Sequence, residues 1–246
     1  MGSARRLGGL AVVLAALAAS GGASAGDRPF LLGGTALQED DDERVFEVGS
    51  GAARAGRARA YTGELQYSFA PWWSVELGWS RRLARNDQRE TEREWSVEAR
   101  YGWLDPARHP VGVALQAELE RARESDVEGR GRWQLERTAL TLPLTVQWAT
   151  HRGQAALHLT PGVEHRHGEG RRPLLALAGQ WPLLRSVELF GEWGAVRERQ
   201  RFAQAGARWW IKRERFALDI SVGRQRGGGE AVPMAALSLS LMDLSY

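Results

Sequence analysis

Carboxylates that recur at alternate positions are the side chains of this sequence best suited to chemistry. If the segments around them are β-strands, the acids share one face, because successive side chains of a strand point to opposite sides. Acids that face a water-filled interior attract cations and repel anions. Acids outnumber bases among the charged residues that the alternation places on this face: Glu64, Arg82, Glu76, Glu94, Glu98, Arg100, Glu118, Glu120, Glu136, Glu164, Arg166, Glu188, Glu192, Arg208 and Asp219.

Two interpretations of this polar face stay open. In the first, it lines a lumen whose function depends most on Glu64, Glu76, Glu98, Glu118 and Glu192. In the second, the same groups fill a closed interior as ionic and hydrogen-bonded networks, because an unpaired buried charge is costly. We favour a narrow channel, since about twelve strands enclose more room than eight.

Histidines are the candidates for catalysis or metal binding. A nucleophilic site pairs His with Ser, but no Ser follows His165 at short range, where the chain reads His165-Arg166-His167-Gly168. His165 and His167 would share a strand face, yet no third metal ligand accompanies them. His158 is predicted to face inward, and a distant Ser could complete a site, but nothing in the sequence points to one. We therefore predict a protein without catalytic residues, bound metal or cofactor, and nothing in the sequence favours nucleic-acid binding.

The elements that would position these acids are short amphipathic strands. Between Tyr61 and Leu83 the sequence predicts two strands joined by a tight turn at Ala70-Pro71-Trp72. Apolar residues alternate with polar ones in both, the period of two that is typical of strands. Proline suits the turn, where no ladder hydrogen bond is needed.

The same alternation recurs to the end of the chain and predicts an all-β fold. We expect a transmembrane antiparallel up-and-down β-barrel over residues 44–246, with about twelve strands, or else ten. A shift of the apolar phase predicts a β-bulge near Thr138-Ala139. Pro143 and Pro161 fall inside strands, where bulges would have to absorb the missing donors.

Tryptophans argue against the main alternative, a soluble β-sandwich, which would place them in the middle of its strands. Here they fall near strand ends, as an aromatic girdle at each membrane interface would. The group beside the short connections is Trp72, Trp73, Trp103, Trp148, Trp181, Trp209 and Trp210. The group toward the longer connections is Trp79, Trp95, Trp133 and Trp193.

The N-terminal region predicts export. Residues 1–25 have a charged start at Arg5-Arg6, an apolar stretch and a small-residue cleavage site at Ala23-Ser24-Ala25, as in a signal peptide. Residues 26–43 are predicted to be an acidic periplasmic segment. Its run from Glu39 to Glu43 could attract a divalent cation, although a solvated tail is favoured. The chain has no cysteine, which excludes a disulfide framework.

Connections between the predicted strands alternate between short turns and longer polar loops, the asymmetry of periplasmic and extracellular ends. The longer set, such as residues 122–131 and 224–230, is rich in arginine. Guanidinium groups suit the phosphates of lipopolysaccharide, and ordinary solvation of the loops explains them equally well. Lipopolysaccharide and outer-membrane lipid are therefore expected partners.

The last strand carries a resemblance to a known class. Met242, Leu244 and Tyr246 occupy alternate positions at the end of the chain, which resembles the assembly signal of bacterial outer-membrane β-barrels. These positions are out of phase with Leu237 to Leu241, so one more bulge is needed. The strand pattern also resembles small outer-membrane transporters of porin-like type. The resemblance implies export through the periplasm, insertion by the barrel-assembly machinery and residence in the outer membrane.

Taken together, these patterns predict a passive channel or transporter for small polar or cationic solutes. A non-conducting barrel that binds lipopolysaccharide or a partner protein is the alternative, and a lipid-modifying barrel enzyme is a weaker one. The sequence does not determine the oligomeric state.

Overall fold

The computed structural model describes residue 36 and residues 45–245, except 57, 84–90, 126–130, 197–199, 214 and 228–229. Every regular element in this part of the chain is a β-strand. The strands are β1 (Val45–Ala55), β2 (Ala58–Ala70), β3 (Trp73–Leu83), β4 (Thr91–Leu104), β5 (Gly112–Ser125), β6 (Gln134–Thr141), β7 (Leu144–Thr150), β8 (Gly153–Arg166), β9 (Gly170–Leu184), β10 (Val187–Val196), β11 (Gln200–Lys212), β12 (Phe216–Gly227) and β13 (Glu230–Ser245).

The sheet closes on itself. Strand β1 pairs with both β2 and β13, and every pairing is antiparallel. Apart from the closing pair β1–β13 and the pairs that involve β6 and β7, each pair joins strands that are consecutive in the chain. Strands β6 and β7 both lie between β5 and β8, so they are two halves of one strand. The protein is thus a closed, antiparallel up-and-down barrel of twelve strands, which confirms the predicted fold. Closure leaves no sheet edge unpaired.

The two strand prolines are accommodated without the bulges that the sequence suggested. Thr141 lies opposite Gly162, and Leu144 opposite Leu159, so the register does not shift across the gap between β6 and β7. Pro143 lies in this gap and Pro161 lies in β8 facing it, where the ladder is briefly interrupted. The carbonyl of Pro161 accepts the N–H of Leu142 at 2.9 Å, so the break removes few donors.

Of the register shifts elsewhere in the sheet, two lie near positions where the sequence predicts a bulge. In β6, Arg137 lies opposite Glu120 but Leu135 lies opposite Arg121, so the bulge is at Glu136 and not at Thr138-Ala139 as predicted. In β13, Phe46 lies opposite Leu244 and Val48 opposite Leu241. The second shift confirms that a bulge follows Leu241. Met242 is buried, in phase with the inward-facing Ser240, and Leu244 lies opposite the outward-facing Phe46.

The barrel has an inverted distribution of polarity. Large apolar side chains point outward and stay exposed in the isolated chain, for example Leu77 at 46% and Ile220 at 54% of their surface. Inward-facing positions hold polar and charged side chains that are buried, such as Glu64, Gln66 and Arg208. This arrangement is stable only where lipid covers the outer face.

Aromatic residues of the outer face gather toward the end at which β1 begins. Phe46 stacks on Tyr67 with ring centroids 4.4 Å apart, and Phe69 stacks on Trp73 at 6.1 Å. Trp210 departs from the predicted girdle. It lies opposite the fully buried Ala217 on the inward face, and the guanidinium of Arg208 lies 5.3 Å from its ring centroid.

The strands at the opposite end are longer than the sequence predicted. Strand β5 continues to Ser125, β9 begins at Gly170 and β12 continues to Gly227, so much of the expected loop sequence is strand. The longest connections at this end are residues 84–90 and 126–133. Longer loops mark the extracellular end of bacterial barrels, so we assign this end to the outside.

Several predictions concern residues outside the described part. These are the signal peptide of residues 1–25, the acidic run from Glu39 to Glu43 and the terminal Tyr246. The side chain of Leu244 is likewise not described, although its backbone pairs with Phe46 in β1.

Glycine makes room for a large side chain on the inner face. Phe190 points inward from β10 and is buried against Gly206 of β11. A Cβ atom at Gly206 would overlap the Phe190 ring and the carbonyl oxygen of Ile220. Gly191 lies on the opposite face, where a Cβ atom would meet the Gln204 carbonyl oxygen at an ordinary 3.6 Å.

We predict that Gly206→Ala lowers the free energy of unfolding by about 1–3 kcal/mol, the typical cost of overpacking. Gly191→Ala is the matched control and should change it by less than about 0.5 kcal/mol. Urea-induced unfolding in phospholipid vesicles, followed by tryptophan fluorescence, measures both. Equal stabilities of the two variants would contradict the packing described here.

Candidate functional site

The structure places the predicted lumen-lining residues on the inward face, with one exception. The inward face of the strands carries Glu64, Glu76, Glu94, Glu98, Arg100, Glu118, Glu188, Glu192, Arg208 and Asp219. Glu136 departs from its expected position, because it is the bulge residue of β6, and Arg137 takes the inward place. The sequence analysis missed Arg137, and the structure puts it at the centre of the charged wall.

Carboxylates form a row across neighbouring strands, which we call the acidic row: Glu47, Glu76, Glu98, Glu118 and Glu164. Glu76 lies directly opposite Glu98, and Glu98 directly opposite Glu118. Gln66 links Glu47 to Glu76 in the same register, and Ala139 links Glu118 to Glu164. Directly opposed side chains have Cβ atoms about 5 Å apart, so the acids of three adjacent strands lie side by side.

Arg137 holds one end of the acidic row. Its Nη1 lies 2.8 Å from Glu118 Oε2 and 3.6 Å from Glu120 Oε2, and its Nε donates to Glu164 Oε2 at 2.9 Å. The arginine side chain is only 5% exposed. One guanidinium therefore serves carboxylates from β5 and β8, and its planar fork suits this role better than an ammonium group would.

A second cluster lies toward the extracellular end of the same wall. Arg82 pairs closely with Glu92, and its Nη2 lies 3.6 Å from Glu94 Oε1. The hydroxyl of Ser80 donates to Glu94 Oε2 at 2.7 Å. These contacts link β3 to β4, so the acids at this level are partly neutralised.

The opposite wall carries fewer charges, and those with described contacts are closely matched. Arg208 donates to both carboxylate oxygens of Asp219, at 2.8 and 3.0 Å, and both residues are buried. The amide of Gln204 donates to Glu192 at 2.9 Å. The charge of the lumen is therefore concentrated on the wall from β1 to β8.

Two cavities lie inside the barrel among the described residues. One, of about 50 Å³, adjoins small side chains of β1, β12 and β13 such as Ala53, Ser221 and Ala236. The other, of about 20 Å³, lies between Glu64, Glu94 and the acidic row. Each has room for one or a few water molecules.

His158 belongs to a buried polar contact inside the barrel. Its Nδ1 lies 2.9 Å from the Thr145 hydroxyl, and both residues are fully buried. The same hydroxyl accepts the backbone N–H of Ala36 at 2.9 Å. Ala36, the one described residue of the N-terminal segment, is buried and thus lies within the barrel. His165 points outward, so the two histidines do not form one site.

Other site types find no support in the described chain. Its residues include no group of three or more His, Asp or Glu side chains placed to hold a metal ion. Among them there is also no helix long and apolar enough to cross a membrane.

Comparison with solved structures identifies the fold. The KdgM porin superposes with a TM-score of 0.56 at 9% identity, over 79% of this chain and 98% of that chain. Omp33 of Acinetobacter baumannii gives 0.52 at 9%, over 81% and 98%. The NanC porin gives 0.51 at 8%, over 80% and 98%.

The chain has the fold of a bacterial outer-membrane β-barrel. At these identities the likeness concerns the fold alone, and the closed barrel with its apolar outer face locates the protein in the outer membrane. No protein-family model and no curated protein sequence matches the chain. The resemblance inferred from the last strand and the strand pattern is thus confirmed by the structure.

Removal of Arg137 tests whether the charged wall depends on it. We predict that Arg137→Met destabilises the barrel by about 3–5 kcal/mol, because Glu118, Glu120 and Glu164 lose a shared buried partner. Urea unfolding in phospholipid vesicles measures the loss. Arg171→Met, an exposed position on the outer face of β9, is the control and should lie within about 0.5 kcal/mol of the unmodified protein. The role assigned to Arg137 is wrong if both variants unfold at the same urea concentration.

Proposed function

We propose that this protein is a passive channel for small polar or cationic solutes across the outer membrane. The observation that carries the proposal is the acidic row, in which Glu76, Glu98 and Glu118 lie opposite one another on adjacent strands. Two like charges about 5 Å apart repel by about 3 kcal/mol at an effective dielectric constant near 20. A cation that enters the lumen relieves this repulsion, whereas an anion meets an unfavourable potential.

The charge balance of the lumen bears on the solute class. Acids of the described inward face outnumber its arginines, and Arg137 already serves three of them. The KdgM porin has been solved in complex with oligogalacturonate, a chain of carboxylated sugars. Such a polyanion would be repelled by the acidic row, so we propose that solutes of this protein are neutral or positively charged.

A non-conducting barrel is the second candidate, and one observation favours it. The ion pairs of Arg137 and Arg208 and the small cavities support an interior that is closely filled. In that case the charges stabilise the barrel and the function lies on its surface. We propose no catalytic role, because His158 and His165 lie on opposite faces of β8.

We also propose two partners for either candidate. The barrel-assembly machinery would recognise the strand that carries Met242 and Leu244, and outer-membrane lipid would cover the apolar outer face. Neither partner depends on whether the lumen conducts.

Planar-bilayer recording separates the candidates. We predict discrete single-channel steps and a reversal potential in a KCl gradient that indicates preference for K⁺. The combined substitution Glu76→Gln, Glu98→Gln and Glu118→Gln should reduce the permeability ratio of K⁺ to Cl⁻ several-fold, because it removes the charges that set the potential of the lumen.

The control is a comparison of two single substitutions. Glu98→Gln removes one carboxylate from the acidic row, and Glu136→Gln removes one carboxylate at the bulge of β6. Only the first should lower the preference for K⁺. Pure, folded protein that gives no steps would favour the filled barrel, and steps with preference for Cl⁻ would overturn the proposed solute class.

A further inference from the structure

The smaller of the two cavities is bounded by residues of one register level on the inward face. Glu64 of β2 lies opposite Gly78 of β3, which lies opposite Ser96 of β4. Ser96 in turn lies opposite Glu120 of β5. All four residues line the cavity of about 20 Å³. We call it the carboxylate cavity, because an acid stands on either side of two small residues.

The space exists because β3 and β4 carry small residues at this level. Gly78 is buried and has no side chain, and the hydroxyl of Ser96 turns over it. A Cβ atom at Gly78 would overlap Ser96 Oγ. Between the two acids, these strands therefore contribute a hydroxyl group and no larger side chain.

Each of the two acids presents one oxygen that has no hydrogen-bond partner among the described residues. These atoms are Glu64 Oε2 and Glu120 Oε1, and the two residues are only 8% and 3% exposed. The other oxygen of Glu120 lies 3.6 Å from Arg137 Nη1. A buried carboxylate oxygen without a donor is costly, so a donor placed in the cavity would stabilise both acids.

The charges around Glu64 favour a cation. Arg208 attracts its carboxylate, but this arginine already donates two hydrogen bonds to Asp219. Three other acids repel it: Glu47, Glu76 and Glu98. A positive ligand beside Glu64 would relieve this repulsion.

Two further acids line the cavity, and both have arginine partners. Glu94 lies 3.6 Å from Arg82 Nη2. Glu118 lies 2.8 Å from Arg137 Nη1. A cation in the cavity would therefore be held chiefly by Glu64 and by the second oxygen of Glu120.

We propose that the carboxylate cavity binds the ammonium group of a primary amine. An ammonium group is close to a water molecule in size and donates three hydrogen bonds, and the cavity has room for one group of that size. Its acceptors would be Glu64 Oε2, Glu120 Oε1 and the Ser96 hydroxyl. The site rests on the proposed channel, because the amine would reach it through the lumen, and it makes primary amines the cationic solutes.

Other cations match the cavity less well. Ca²⁺ takes about six to eight oxygen ligands, and Mg²⁺ needs near-octahedral geometry. The described residues include no three acids placed to hold a metal ion. A quaternary ammonium ion has no N–H group to donate and is larger than the cavity.

An NMR titration of the folded, isotope-labelled barrel in nonionic micelles tests the proposal. Ethylammonium chloride should shift the backbone amide resonances of Gly78 and Ser96 until they saturate. Tetramethylammonium chloride, which has the same charge and no N–H donor, should not. The variant Glu64→Gln should bind ethylammonium at least about tenfold more weakly, because a hydrogen bond to a charged group is lost.

The matched control is Glu136→Gln. It removes a carboxylate at the bulge of β6, which does not line the cavity. The affinity for ethylammonium should stay within about twofold, since a charge outside the cavity is screened by salt.

Gly78→Ala tests the space without a change of charge. Its methyl group would displace the Ser96 hydroxyl and occupy part of the cavity, so the affinity should fall at least about fivefold. Gly191→Ala, whose Cβ atom meets an ordinary contact, should bind like the unmodified protein. A shift in gel mobility on heating shows that every variant is folded.

Equal affinity of Glu64→Gln and the unmodified protein for ethylammonium overturns the proposal. The same saturable shifts with K⁺ or Ca²⁺ at equal concentration would indicate a site for bare cations and overturn it as well. The titration requires no ion flow, so single-channel steps without ethylammonium binding contradict the ammonium site alone. Binding at Gly78 and Ser96 without single-channel steps supports the site and contradicts the proposed channel.

Discussion

The whole structure depends on pairing every backbone N–H and C=O within a membrane, where no water can replace a missing partner. The pairing of β1 with β13 meets this requirement, because it closes the sheet and leaves no edge. Once the sheet is closed, alternate side chains of each strand lie in different environments: one set faces lipid and the other faces a confined interior. Apolar residues such as Leu77 and acidic residues such as Glu76 are neighbours in sequence, yet closure separates their environments completely.

Within the barrel, charge and volume are distributed unevenly. The wall from β1 to β8 carries the acidic row together with Arg137, and the wall from β9 to β13 has small side chains with Phe190 set against Gly206. The carboxylates concentrated on the first wall make the electrostatic potential of the lumen negative. The side chains that form ion pairs on both walls occupy part of its cross-section. The proposed channel, with an acidic wall, would favour small solutes without negative charge, and the ion pairs in its lumen would also stabilise the barrel.

Sequence reasoning predicted the architecture because a period of two is a local signal that a closed barrel preserves in every strand. It failed where pairing depends on a neighbouring strand. The bulge at Glu136 is set by the register of β5, so Glu136 was predicted to face inward, and Arg137 with its three carboxylates was missed. Pro143, between β6 and β7, and Pro161 of β8 share one gap in the ladder, which only the pairing reveals. Strand extension beyond the membrane was also missed, because polar residues such as Arg123 resemble loop sequence.

The central claim is that an acidic, water-lined interior is enclosed by a wall that faces lipid. Because the chain has no cysteine, single cysteines at Ser96 and Val97 of β4 report on the two faces without interference. The rate at which charged methanethiosulfonate reagents modify each introduced cysteine in lipid vesicles tests this claim directly. We expect the cysteine at 96 to react, and to react faster with the cationic reagent than with the anionic one, while the cysteine at 97 stays protected. Modification of position 97 at the same rate, or a preference of position 96 for the anionic reagent, would contradict the account.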